Sequence, residues 1–152
     1  MRFIVGVFPL LTIPVILYNL MAFGFSGDPQ GDATVAQTMG QHIREAVFTF
    51  PMVAQGVSWE ISSGDILIIL SLLFFFVEII KSTSTGAATI ANHAVSMLVF
   101  IVAMIEFLLF KNFATSAFFI ITMMCLLDVL AGVVVTIIAA RRDFAVGDGG
   151  LH

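Results

Sequence analysis

The chain has 152 residues, of which 60% are hydrophobic and only 11% charged, and its net charge is −4. A soluble domain carries about 25% charged residues because its surface faces water, so this composition excludes an ordinary soluble domain and predicts an integral membrane protein. The acidic balance also argues against a nucleic-acid partner, because binding phosphates requires a basic face.

The first apolar run covers residues 3–23 and follows Arg2. A basic residue before an apolar stretch is also typical of a signal peptide, but a run of about 20 residues is long enough to cross a bilayer and longer than the apolar region of a usual signal. We therefore predict a retained transmembrane helix. Pro9 and Pro14 lie inside it and lack backbone donors, so this helix is expected to bend.

Residues 25–64 form the long polar segment of the chain. Apolar residues recur at every fourth position over residues 35–47, which predicts a short amphipathic helix on the membrane surface or at the end of the bundle. Alternating apolar residues on both sides of residues 54–56 predict a small β-hairpin. Trp59 in this hairpin is typical of a membrane-interface anchor.

Three further apolar runs predict transmembrane helices over residues 66–81, 87–110 and 115–140. Their short connections make them antiparallel neighbours. The predicted fold is an all-α integral membrane protein with four transmembrane helices in an antiparallel bundle. Residues 1–143 form its single domain, and the Gly-rich residues 144–152 are predicted to be a flexible tail.

Basic residues near the ends of the predicted spans indicate the orientation. Four of them fall on one side of the membrane, namely Arg2, Lys81, Arg141 and Arg142. Two fall on the other side, namely Arg44 and Lys111. We therefore expect a multi-pass protein of the cell (inner) membrane with both termini cytoplasmic and residues 25–64 outside. Lys81, Arg141 and Arg142 are the expected anchors at the cytoplasmic interface.

Polar groups inside the apolar runs are the candidate sites, because an ionised side chain at the bilayer centre costs about 2.5–3.5 kcal/mol or more. Asp128 lies about 20 Å from Arg141 along an ideal helix, near the midplane. It must be protonated, paired or hydrated there. Ala131, Gly132 and Ala139 form a small-residue stripe on the same helix, which predicts close helix approach. Asp128 is therefore either a hydrogen-bonding contact between helices or a proton or ion site.

Glu78 and His93 are expected at similar depths on neighbouring helices. Glu78 either pairs with Lys81 on its own helix as a snorkelling acid or shares a proton with His93. The alternative partners for His93 are Ser71, Ser96 or a backbone carbonyl.

Glu106 follows His93 by thirteen residues, a rotation of about 140° on an ideal helix. The third span is therefore predicted to have two occupied faces. One would meet the bundle, and the other a second copy or a partner.

Catalytic and cofactor motifs give no support to an enzyme. Cys125 is the single cysteine, and the three histidines lie far apart without zinc spacing. We find no nucleophile motif, haem motif or Gly-rich phosphate loop, and therefore expect no catalytic residue, no metal and no cofactor.

The first functional hypothesis is a non-enzymatic membrane protein. It would be an accessory, assembly or regulatory subunit, or a homo-oligomer that packs through its transmembrane helices. The alternative is a proton- or ion-coupled transporter or channel formed by oligomerisation, using Asp128, Glu78 and His93. The expected partners are the lipid bilayer and another membrane protein or a second copy.

Overall fold

The computed structural model describes residues 8–24, 39–53, 56–82 and 87–147, with side chains described over 90–138 in the last range. The elements, in chain order, are α1 (Thr12–Gly24), β1 (Ala46–Pro51), β2 (Ser58–Ser62), α2 (Ser63–Ser82), α3 (Ala87–Leu109), a 3₁₀ turn (Lys111–Phe113) and α4 (Ser116–Gly147). α2, α3 and α4 are long and apolar enough to cross a membrane. The helical fold and membrane residence predicted from the sequence are confirmed to that extent.

The first apolar run is helical over a shorter stretch than predicted. α1 has 13 residues and begins at Thr12, after a bend and turn over residues 8–11; residues 3–7 of the predicted span lie outside the described ranges. Its length of about 20 Å is less than the roughly 30 Å of a hydrocarbon core. The prolines do not bend a continuous helix as predicted. Pro9 precedes α1 and Pro14 lies in its first turn, where the missing N–H costs no intrahelical bond.

The bounds of the other helices differ from the predictions mainly at the end of α4. α2 begins three residues before the predicted span, because Ser62 and Asp65 form a reciprocal capping pair. The Asp65 N–H donates to Ser62 Oγ at 3.1 Å, and the Ser62 N–H donates to the Asp65 carboxylate at 2.9 Å. α4 has 32 residues and continues to Gly147. Residues 144–147 are thus helical rather than part of a flexible tail; 148–152 lie outside the described ranges.

The segment before α2 is partly as predicted. Residues 39–42 are helical, with Met39 and Ile43 buried, whereas residue 47 lies in β1. The predicted hairpin is confirmed, with β1 and β2 antiparallel. The positive φ of 76° at Gly56 falls in its turn, where glycine carries no side-chain penalty.

Four contacts define how the helices run relative to one another. Near the start of α1, the Phe8 carbonyl accepts a 2.7 Å bond from Lys81, at the end of α2. Near the end of α1, the Ala22 carbonyl accepts a 3.1 Å bond from Asn112, in the turn between α3 and α4. Tyr18 bonds the same region, donating to the Asn112 carbonyl at 3.1 Å and lying 2.6 Å from Thr115 Oγ1. α1 therefore runs antiparallel to α2, from the α2–α3 connection to the α3–α4 connection.

The core lies along one face of α4, which makes the most extensive contacts with both α2 and α3. α1 adds a stripe at helical spacing, with Leu11, Val15, Tyr18 and Ala22 all buried. At the α3–α4 connection, the Tyr18 ring packs against Phe118 with centroids 4.5 Å apart. Most apolar side chains on the outer helix faces are exposed, as expected where lipid rather than water surrounds a bundle.

Candidate functional site

Glu78, on α2, joins three helical segments although no part of it reaches the surface. Its side chain is 0% exposed. One carboxylate oxygen accepts from the Leu10 N–H at 2.9 Å. The other accepts from Asn92 Nδ2, on α3, at 2.6 Å and lies 3.1 Å from Lys81 Nζ. An acceptor with three donors is the pattern of an ionised carboxylate, so the ion pair and the amide share one buried charge.

This arrangement holds the start of α1. N–H groups at the start of a helix have no intrahelical partner, and Glu78 accepts from the N–H of Leu10 in the turn that leads into α1. A negative charge is also favoured at a helix N-terminus. Lys81 also holds this segment, because its ammonium group contacts both Glu78 and the Phe8 carbonyl. We call Glu78 and Lys81 the clamp on α1.

Two expectations about Glu78 need correction. The pairing with Lys81 is present, but the carboxylate is buried rather than snorkelling to the surface. The Glu78–His93 pair is not formed, and Asn92 takes that place. The two α3 residues are sequence neighbours and lie about 100° apart on the helix, so only one of them can face α2. Asn92 was missed as a site residue, although an amide in an apolar span is itself a signal of a polar helix contact.

The polar atoms around Glu78 and Lys81 are thus paired. Beside them lies a second group of buried polar atoms, which we call the unpaired half because these atoms have no hydrogen-bond partner within the described residues. These atoms are both Asp128 oxygens, the Ser96 hydroxyl, both His93 ring nitrogens and the Asn92 amide oxygen. Asp128 is only 1% exposed and Ser96 only 3%. The Ser96 hydroxyl is close enough to act on the Asp128 carboxyl but lies outside hydrogen-bonding geometry. None of the partners predicted for His93 is therefore engaged, and Ser71 bonds its own helix instead, at the Leu67 carbonyl.

The predicted small-residue stripe explains how His93 fits against α4. A Cβ added to Gly132 would overlap the edge of the His93 ring, at Nδ1 and Cε1, far closer than van der Waals contact. Gly132 thus provides the space for the imidazole. Ala139, the far member of the stripe, has no described side chain.

The antiparallel pairing of α3 and α4 brings the unpaired groups into one layer. His93 lies against Gly132, and Ser96, three residues later, lies against Asp128, four residues earlier. Glu78, Lys81 and His93 are all near enough to act on the charge of Asp128. We call Glu78, Asn92, His93, Ser96 and Asp128 the polar cluster.

Glu106 lies apart from the polar cluster. It accepts a 3.0 Å bond from Asn19 Nδ2, on α1. The predicted second face of α3 therefore meets α1 of the same chain. Because Glu106 lies on a different part of α3, the four candidate residues do not form one line through the bundle.

The predicted interface anchors have different surroundings. Trp59 is 54% exposed on the hairpin, whereas Lys81 is tied into the clamp. The backbone of Arg141 and Arg142 continues α4, and their side chains lie outside the described part of the chain.

The described residues contain no group of three or more His, Cys, Asp or Glu side chains placed to hold a metal ion. The polar cluster offers carboxyl, imidazole, hydroxyl and amide groups. No family model, curated protein or solved structure matches the chain.

Proposed function

We propose that the chain is a non-enzymatic integral protein of the inner membrane that acts as an accessory, assembly or regulatory subunit, or as a homo-oligomer. In this proposal it crosses the membrane four times, with both termini cytoplasmic and residues 25–64 outside. The first crossing combines α1 with residues 8–11, which precede it. This assignment is supported by the contacts that residues 8–24 make with Lys81, at the end of α2, and with Asn112, between α3 and α4. The excess of basic residues on the proposed cytoplasmic side also supports it.

The observation that carries the proposal is the apolar face of the hairpin. Phe48 lies opposite Ile61, and Phe50 lies opposite Trp59. Directly opposed residues share one face of a sheet, so these four form a single apolar surface. Phe48, Phe50 and Trp59 are each about half exposed, at 55%, 49% and 54%.

Physical arguments favour a partner that covers this surface. A two-stranded hairpin is at best marginally stable in water and needs a further surface to pack on. Contiguous exposed apolar patches mark interaction sites, and aromatic side chains are enriched at the centres of protein interfaces. β2 continues directly into α2 through the capping pair, so the hairpin is held at the end of a membrane helix. A neighbouring membrane protein is the occupant that we propose.

Site-specific photo-crosslinking tests this proposal. A photoreactive phenylalanine analogue would replace Phe50 in the full chain in its own membrane, and Thr49 would be the matched control because it lies on the opposite face of β1. We expect protein adducts from position 50 and few from position 49. Native mass spectrometry after gentle extraction then separates a larger complex from a pure homo-oligomer. Adducts with lipid alone, together with a monomer in the native spectrum, would refute the proposal.

A second candidate function is a proton- or ion-coupled transporter or channel formed by oligomerisation. It is favoured by the unpaired, buried atoms of His93, Ser96 and Asp128. Glu78 contributes less than the sequence suggested, because three donors already hold it. Proton flux into liposomes that contain the wild type or Asp128→Asn tests this candidate. Equal flux in both would reject it.

A further inference from the structure

We propose that the unpaired half of the polar cluster binds one exchangeable proton, which Asp128 and His93 share through an internal water molecule held by Ser96 and Asn92. This inference names the occupant of the site on which the second candidate function depends. It requires binding only and not transport.

Burial of unpaired polar atoms is the first support. A buried polar group without a partner costs about 1–3 kcal/mol in proteins, and six such atoms lie on four neighbouring residues here. Internal water usually satisfies atoms of this kind, making about three hydrogen bonds in a polar site. Asp128 and Ser96 lie close together on facing helices, so a water beside them would have hydrogen-bond partners on both helices.

Charge balance is the second support. Glu78 and Lys81 neutralise each other at 3.1 Å. Cys125, one turn before Asp128 on α4, is buried and stays a neutral thiol. His93 and Asp128 are the remaining titratable groups in this described region. The site is electrically neutral when these two groups together hold one dissociable proton, either as carboxylic acid with neutral imidazole or as carboxylate with imidazolium.

The geometry allows transfer between these two states. His93 lies at Gly132, one helical turn or about 6 Å along the axis from Asp128, a gap that one water can bridge. The Asp128 O–H bond breaks as its proton passes to the water, and the water gives a different proton to one ring nitrogen of His93. The water is unchanged, and no net charge is created in the apolar interior.

Infrared difference spectroscopy of the full chain in detergent tests the inference. We expect the C=O band of a protonated carboxyl that shifts in D₂O, is titrated with pH, and is missing in Asp128→Asn. Glu106→Gln, which removes the carboxyl on α3, should leave this band unchanged. If Asp128→Asn does not fold, ¹³C labelling of the aspartate carboxyls in the wild type assigns the band by its isotope shift.

His93→Phe tests the sharing itself and keeps a flat ring against Gly132. Because the proton then has a single site, the band should gain amplitude and persist to higher pH. An unchanged band in His93→Phe would overturn the shared proton, as would an Asp128 that gives no carboxylic band at any pH. Replacing choline chloride with NaCl at constant pH should have no effect; loss of the band in Na⁺ would make this a cation site instead. Since the spectra require no gradient, a failure here is distinct from a failure of transport or of partner binding.

Discussion

Glu78→Ala removes the acceptor that joins α1, α2 and α3, and its cost can be worked out from the contacts. The substitution leaves the Leu10 N–H and the Asn92 amide without their acceptor and takes the carboxylate away from Lys81. Removing one partner of a buried ion pair costs about 3–5 kcal/mol. Lys81 keeps the Phe8 carbonyl and its side chain is 22% exposed, which places the expected cost at the low end, at about 3 kcal/mol.

Glu106→Ala is the matched control for this prediction. It is the same substitution on a half-buried acid whose carboxylate accepts from Asn19, and one interhelical bond in a membrane protein is worth about 0.6 kcal/mol on average. The free energy of unfolding would be measured by titrating SDS into mixed micelles and recording helix content by circular dichroism.

We expect Glu78→Ala to lower the free energy of unfolding by at least about 2 kcal/mol more than Glu106→Ala does. We also expect the double variant Glu78→Ala with Lys81→Met to lose less free energy of unfolding than the two single variants lose together, because the two side chains are in contact. Equal losses for the two alanine variants would refute our account of Glu78 as the residue that holds the start of α1.

Two further substitutions test the contacts of α4 with its neighbours. Gly132→Ala should destabilise the protein by about 1–3 kcal/mol because its methyl group overlaps the His93 ring. Adding His93→Ala to this variant should restore most of the lost stability in the SDS titration. A Gly132→Ala variant as stable as the wild type would contradict the close contact between His93 and Gly132. Tyr18→Phe should cost about 1–2 kcal/mol, because it removes the hydroxyl that bonds Thr115 Oγ1 and the Asn112 carbonyl in a fully buried position. Thr115→Val should cost less when added to Tyr18→Phe than in the wild type, because only its bond from the Phe118 N–H then remains to be lost.

The helices themselves were largely predictable. α2, α3 and α4 follow from apolar runs that are too long for anything but a membrane helix or a very large core. The hairpin follows from alternation around a glycine turn. These features depend on neighbouring residues in the chain, so a local pattern contains the information. The first run was harder, because its two prolines set the helix start at a position that apolar length alone does not indicate.

The partners of the polar side chains were not predictable in the same way. Composition placed Asp128, Glu78, His93 and Glu106 in the membrane interior, where each must be neutral, paired or hydrated. Depth allowed Glu78 to pair with either Lys81 or His93. The rotation of α3 instead turns Asn92 towards Glu78 and His93 towards Gly132, and a difference of one residue on a helix changes the direction by about 100°.

Hydropathy and residue spacing are properties of the chain alone, so they predict a helical membrane protein with costly polar groups inside its spans. Which of those groups have hydrogen-bond partners depends on how the helices pack in three dimensions. This packing assigns Glu78 to the clamp on α1 and Glu106 to Asn19. Among the described residues, it leaves the polar atoms of His93, Ser96 and Asp128 without a hydrogen-bond partner between α3 and α4. The physical reason is that a hydrogen bond between helices depends on the rotation and register of both, which the sequence of neither helix contains.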